Sequence, residues 1–310
     1  MRGKTLIRSR WHPTLAEALP SGSAITGDFF VTALQAILIA IIQGATELFP
    51  VSSLGHAVVL PAVAGSGLDQ RSPVFLPFLV MLHFGTAVAL LGYFWRDWWS
   101  LAMGVLGRGA RRQVTGSRRL LLLIAVATLP AVAAGATLEH FVRGLFGSPM
   151  VAAAFLVVNG FLLLLGERLR GTGNRPLAEL RVRDALAIGC WQCTALIPGI
   201  SRSGATIAGG LLRGISHEAS ARFSFLIATP VILGATVLEV PKLLHQGVPE
   251  GTFMLASAAA VAGGLTALAS TAFLMHYFRR EDSWALKPFA FYCFALGLGS
   301  LAVLVLRPYI

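Results

Sequence analysis

QGATELFPVSSLGH at residues 43–56 and IPGISRSGATI at residues 197–207 decide how this chain is read. Each sets proline, glycine, serine and an ionisable side chain inside flanks that are almost wholly apolar. A charge in hydrocarbon is costly, so each string marks a break that has a use. Composition supplies the membrane: 55% of the 310 residues are hydrophobic, 13% are charged and mean hydropathy is +0.73. Soluble domains carry about 25% charged residues.

Outward from the strings, continuous apolar runs at 74–95, 119–140, 149–166, 223–244, 252–277 and 286–306 suit a hydrocarbon core that needs about 20 helical residues to cross. They do not alternate as barrel strands would, so helices are expected. The regions that hold the strings, about 28–66 and 184–213, are apolar at both ends and read as helix, loop, helix. Arginines concentrate in 96–118 (Arg96, Arg108, Arg111, Arg112, Arg118) and 167–183 (Arg168, Arg170, Arg175, Arg181, Arg183), with Arg279 and Arg280 in 278–285. Segments 140–148 and 245–251 are poor in them. The net charge of +11 is therefore an orientation signal, with the Arg-rich loops cytoplasmic, rather than a nucleic-acid footprint.

With six alternating spans, 184–213 begins and ends in the cytoplasm and must be a re-entrant hairpin. Region 28–66 then dips in from the opposite face. Opposed hairpins imply an inverted repeat, and the strings match weakly: Glu47-Leu-Phe-Pro50 against Ala195-Leu-Ile-Pro198, with Gln43 and Gln192 upstream. The expected fold is an all-α polytopic membrane protein, an inverted-topology repeat with about six transmembrane helices and two re-entrant helix-loop-helix hairpins. Residues 1–27 are expected as a surface tail and 28–310 as a single membrane domain. Arg2, Lys4, Arg8 and Arg10 precede no continuous apolar segment of signal-peptide type. That basic tail is a counter-signal, since a cytoplasmic tail would make 28–66 a single crossing.

In the first string Gln43 and Glu47 share a helix face, Pro50 ends the helix, and Ser52 or Ser53 can cap a new one that carries His56 in its first turn. In the second, Pro198 and Gly199 break the chain, Ser201 or Ser203 can cap, and Arg202 and Thr206 start the next half-helix. Its free N–H groups and a guanidinium fork suit phosphate oxygens. Together the strings make a phosphoryl-transfer site: Ser53 as nucleophile, Glu47 or His56 as base, Arg202 against the developing charge, with His56 as nucleophile through a phosphohistidine the alternative. A carboxylate beside phosphate implies a metal or a proton role for Glu47, with Gln43 as a neutral co-ligand. Plainer readings stay open: serines that only cap, His56 as a structural donor, Glu47 as a neutral acid, Arg202 paired with Glu47. His83 is expected to pack, His140, His217, His245 and His276 to sit at interfaces, and Cys190 and Cys193 to be small buried thiols, since their CxxC has no second pair.

The two strings closely resemble the signature motifs of the bacterial undecaprenyl-diphosphate phosphatase family, also called the bacitracin-resistance family. Similarity extends to HFGTAVALLGYFWRD at 83–97 and ARFSFLIATPVILGA at 221–235, and covers nearly everything after about residue 28. The resemblance implies an inner-membrane hydrolase that removes the terminal phosphate of a C55 polyprenyl diphosphate, so that the carrier lipid is recycled for cell-wall synthesis and bacitracin is resisted. It implies a site open to the periplasmic side and a divalent cation, Mg2+ or Ca2+. By motif, the family's acidic positions fall on Gln43 and Glu47, its serine on Ser53, its histidine on His56, and its second-motif residues on Ser201, Arg202, Ser203 and Thr206, with Ser52 and Gly204 beside them for substrate. Gln43 stands where the family allows Glu or Gln, which leaves Glu47 the one motif carboxylate. The expected partners are the lipid substrate and the bilayer, without nucleic acid; a homodimer is left open. The competing function is a transporter or flippase for a phosphorylated lipid.

Overall fold

A computed structural model describes residues 32–66, 75–170, 173–245 and 250–306, and the expected tail at 1–27 lies outside them. The described residues form α1 (Ala33–Thr46), α2 (Ser53–Ala64), α3 (Phe75–Tyr93), α4 (Trp95–Val105), α5 (Arg111–Phe146), α6 (Pro149–Leu169), α7 (Val182–Cys193), α8 (Arg202–Leu212), α9 (His217–His245), α10 (Glu250–Arg280) and α11 (Lys287–Leu306). Among them, α5, α6, α9, α10 and α11 are long and apolar enough to cross a membrane, and α3 with the bent α4 supplies a sixth candidate.

The two broken regions are hairpins of short helices, α1–α2 and α7–α8. Helices of 11 to 14 residues reach roughly 16–21 Å at 1.5 Å per residue, well short of a hydrocarbon core about 30 Å thick. Each hairpin therefore turns back inside the protein. Thr32 starts α1 with a capping box, its hydroxyl accepting from Gln35 N and Gln35 returning to Thr32 N. Asp184 does the same service for α7 by accepting from Arg181 N at 3.1 Å.

The packing obeys a two-fold exchange of the halves. Helix α1 lies on α10 as α7 lies on α5, α2 meets α11 as α8 meets α6, while α3 crosses α9 and α6 runs along α11. Three crossings per half reverse the second half relative to the first, as an inverted repeat requires. The basic segments gather at one end. There Arg119 donates to Ala178 O (2.9 Å) and Leu180 O (2.7 Å), Arg222 pairs with Asp97 at 2.5 Å, and Arg175 and Arg213 each reach the buried Asp184 at 2.9 Å.

Three expectations change. The start of the 96–118 loop is a helix, α4, bent 76° from α3, with Leu101 and Gly104 buried and Trp95 and Trp99 exposed; that one-sidedness is hidden in a string rich in Trp and Arg. His217 is fully buried rather than interfacial, because Glu167 Oε1 (2.9 Å), Arg170 (2.6 Å) and Asp282 (3.2 Å) surround its ring. Cys190 is exposed and Cys193 partly so, since α7 turns Gly189 and Ile188 inward against α5 and its cysteines away. His276 is exposed as expected, while the side chains of His140 and His245 lie outside the described ones.

Candidate active site

Both hairpin tips end on the same point. Pro50 cannot continue α1, and the chain turns through Ser52, which adopts a left-handed φ of 68° and caps α2 by accepting from Gly55 N at 3.2 Å. A serine held there costs on the order of 1–3 kcal/mol, a strain that clusters at functional sites. In the second hairpin Gly199 has φ +100°, and a Cβ on it would lie 2.3 Å from Ala152 O, so only glycine lets this tip press against α6. Ser201 then caps α8 through Gly204 N at 3.1 Å.

Asn159, fully buried on α6, holds the tips together. Its amide nitrogen donates to Pro50 O (2.9 Å) and its oxygen accepts from Ser201 N (2.9 Å). Ser203 adds a bond to Phe49 O at 2.9 Å, with Ser201 Oγ 3.4 Å from the same carbonyl. Sequence reading passed over Asn159, although a lone amide inside MVAAAFLVVNGFLLLL is the signal that would have found it.

Glu47 is the centre of what results. Ser53 Oγ and Gln43 Nε2 (3.4 Å) donate to its Oε2, His83 Nε2 lies 3.0 Å from the same oxygen, and Arg202 reaches Oε1 at 3.0 Å. Arg202 also donates to Ser224 O at 3.3 Å. The packing role expected of His83 is thereby corrected. Its Nδ1 lies 2.6 Å from Leu79 O, so both ring nitrogens face oxygen atoms. The guanidinium of Arg202 balances the one carboxylate, and His83 adds a polar ring beside it. Such a site can receive an anion once Arg202 turns from Glu47 toward it.

Glu47, Ser52, Ser53, His83, Ser201 and Arg202 open onto one cavity of about 250 Å³, whose remaining wall is Gln192 together with apolar residues of α2, α3, α5, α9 and the second tip. The other expected site residues do not line it. His56 bonds Ser52 O (2.7 Å) and Tyr292 OH (2.8 Å) and faces a separate apolar recess beside Leu38 and Ile39. Thr206 bonds Ser224 Oγ (2.6 Å) and Arg202 O (2.8 Å), and Ser203 is taken up by Phe49. Gly204 is buried beneath the Ser201 cap.

The expected metal ligands do not form a cage. Both oxygens of Glu47 already receive donors, and Gln43 turns its nitrogen to Glu47 while its oxygen accepts from Thr86 at 3.4 Å. Among the described residues no three His, Cys, Asp or Glu side chains converge. A divalent cation wants several free oxygens. Gln43 and Glu47 in this arrangement do not offer them.

The family model described as Bacitracin resistance protein BacA matches residues 36–299. The chain belongs to the BacA family. That match takes in both hairpins, Asn159 and every residue on the cavity, so the whole site lies within the BacA fold. A protein of Granulibacter bethesdensis named undecaprenyl-diphosphatase is 65% identical over 88% of this chain and 97% of its own length. One of the same name from Acidiphilium cryptum is 56% identical over 88% of the chain and 99% of its length. Another from Mycolicibacterium paratuberculosis is 43% identical over 88% and 98%.

Proposed function

We propose that this BacA-family protein is an undecaprenyl-diphosphate phosphatase, and the observation that carries the reading is Ser53 hydrogen-bonded to Glu47 while Arg202 grips the same carboxylate. Nucleophile, base and anion clamp stand within one small cavity. Ser53 Oγ attacks the terminal phosphorus as its proton passes to Glu47. The anhydride bond breaks, polyprenyl monophosphate leaves and takes up that proton. Water then attacks the phosphoserine, restoring Ser53 and releasing phosphate. Arg202 and His83 face the charge that spreads over the phosphoryl oxygens. Leaving Glu47 for the phosphate is cheap for Arg202, because the carboxylate becomes neutral as it accepts the serine proton.

Leu79, Val80, Ala131, Leu196, Val231 and Ile232 make the apolar wall that receives the first isoprene units. A C55 chain far exceeds the cavity, so the remainder runs out among the helices into the bilayer. A divalent cation, Mg2+ or Ca2+, belongs to the proposal only as a companion of the diphosphate, which chelates such ions in water. No step is assigned to it.

The depth of the cavity along its helices supports a periplasmic opening. Val231 to Ala235 are 14 to 18 residues beyond His217 at the basic end, roughly 21–27 Å along α9. With the basic end cytoplasmic, the cavity opens toward the periplasmic face of the inner membrane, where a diphosphate left by cell-wall polymerisation would arrive.

Purified protein given polyprenyl diphosphate and Mg2+ should release phosphate, and acid quench should trap the phosphoryl group on Ser53. Label on His56 would sink the serine scheme. No release at any pH or metal concentration favours lipid transport, which opposed broken helices also suit.

A further inference from the structure

Among the polar side chains that line the cavity, Gln192 differs from all the others. Glu47, Ser52, Ser53, His83, Ser201 and Arg202 each have a hydrogen-bond partner in the protein. Gln192 is 3% exposed, and neither its Oε1 nor its Nε2 has a partner among the described residues. The cause can be read against the other hairpin. The caps shift the register one residue from the alignment on the prolines: counting back from Ser52 and Ser201, Gln43 and Gln192 occupy the same place nine residues upstream, and Glu47 five upstream is matched by Leu196. Gln43 spends its amide on Glu47 and Thr86. Gln192 has a leucine where that carboxylate would be, and its donor and acceptor are left to whatever enters the cavity. A buried amide without a partner is disfavoured, so the arrangement makes sense only with a polar ligand or the water it displaces.

We infer that Gln192 binds the lipid-side phosphate of the diphosphate, the one that is not transferred. This rests on the phosphatase reading above. The terminal phosphoryl must lie in line with Ser53 and beside Arg202, two groups tied to each other through Glu47. Gln192 belongs to none of those bonds. It stands at the end of α7, and Ala195 and Leu196, which follow it in the chain, line the same cavity with apolar side chains. A phosphate bonded to the prenyl chain needs a polar partner with apolar side chains near it. Neutral charge suits the task, since this phosphate stays on the product: an amide NH2 donates to it without the tight hold of a second guanidinium, which would slow release.

The test is Gln192→Leu, close in volume and without polar atoms. It should raise KM for polyprenyl diphosphate about tenfold, as loss of one hydrogen bond to a charged group does. The inhibition constant of polyprenyl monophosphate should rise by the same factor, while that of inorganic phosphate, which fits the Ser53–Arg202 end alone, stays unchanged and kcat stays within about twofold. The melting temperature should not fall, because two unpaired buried atoms are removed; a lowered one with unchanged KM would make Gln192 merely structural. Unchanged KM and monophosphate inhibition, a parallel rise for inorganic phosphate, or a loss confined to kcat would each overturn the inference. If the wild type hydrolyses nothing, the phosphatase reading fails by itself. Calorimetric binding of polyprenyl monophosphate to wild type and Gln192→Leu still decides the role of Gln192, equal affinity refuting it.

Discussion

Glu47 shows how one side chain sets the character of a site. Its two oxygens face Ser53, Gln43, His83 and Arg202, which aims it at the serine proton. Glu47→Gln should lower kcat by about 10²–10⁴, the range for loss of a general base. Wild-type activity should fall as pH is lowered, because a protonated Glu47 accepts nothing; the residual activity of the variant should lack that acid limb. A pH–rate profile with the same limb in both proteins removes Glu47 from the chemistry. Arg202 tests the other half of the cluster. Arg202→Lys keeps the charge but loses the planar fork that bonds Glu47 and Ser224 O together, and kcat/KM should drop by about 10²–10³. Near-normal turnover would contradict a phosphate clamp.

At the scale of elements, the two hairpins matter through their tips and their roots. Gly199→Ala places a methyl group against Ala152 O at a positive φ, so the second tip must retreat from α6 and take Arg202 with it. The expected cost is about 1–3 kcal/mol from the backbone alone, seen as a lower melting temperature together with lost phosphate release. At the root of the same hairpin, in the first turn of α7, burial by itself would raise the Asp184 carboxyl. Hydrogen bonds from Arg175, Arg213 and the Arg181 N–H outweigh it and hold the group below its ordinary value. A depressed carboxylate contributes stability that is complete above its unfolded value, about 3.9, and is lost as pH falls through the lower folded one. Melting temperature should therefore decline below about pH 4 in the wild type more steeply than in Asp184→Asn, which is already destabilised at neutral pH. Equal slopes would mean that the hairpin root carries no such linkage.

For the whole molecule, the exchange of α1 with α7 and of α10 with α5 places two identical-looking devices back to back, and function arises because they are not identical. One tip brings a carboxylate and a hydroxyl, the other a guanidinium. A repeat that reversed but did not diverge would pair like with like. The topology has a direct check in the basic end: after Cys190, Cys193 and Cys293 are replaced, a cysteine at Gly107 or Arg175 should react with an impermeant thiol reagent only from the cytoplasmic side. Reaction from outside in intact cells would invert the molecule and move the cavity to the wrong face for the proposed substrate.

The crossing runs, the two breaks and the charge asymmetry of the loops were legible in the chain, because hydrocarbon thickness, proline and the positive-inside bias act on local sequence. So was the pairing of Glu47 with Arg202 as one of the readings for two opposite charges in an apolar setting. The directions of side chains were not. Whether His83 packs or reaches Glu47, whether His56 faces Ser53's cavity or Tyr292, and whether Gln43 offers oxygen or nitrogen depend on how each helix is rotated against partners far away in the chain. Only the tertiary structure decides that, since rotation is set by close packing around Asn159, Gly199 and the helix crossings rather than by any pattern along one helix.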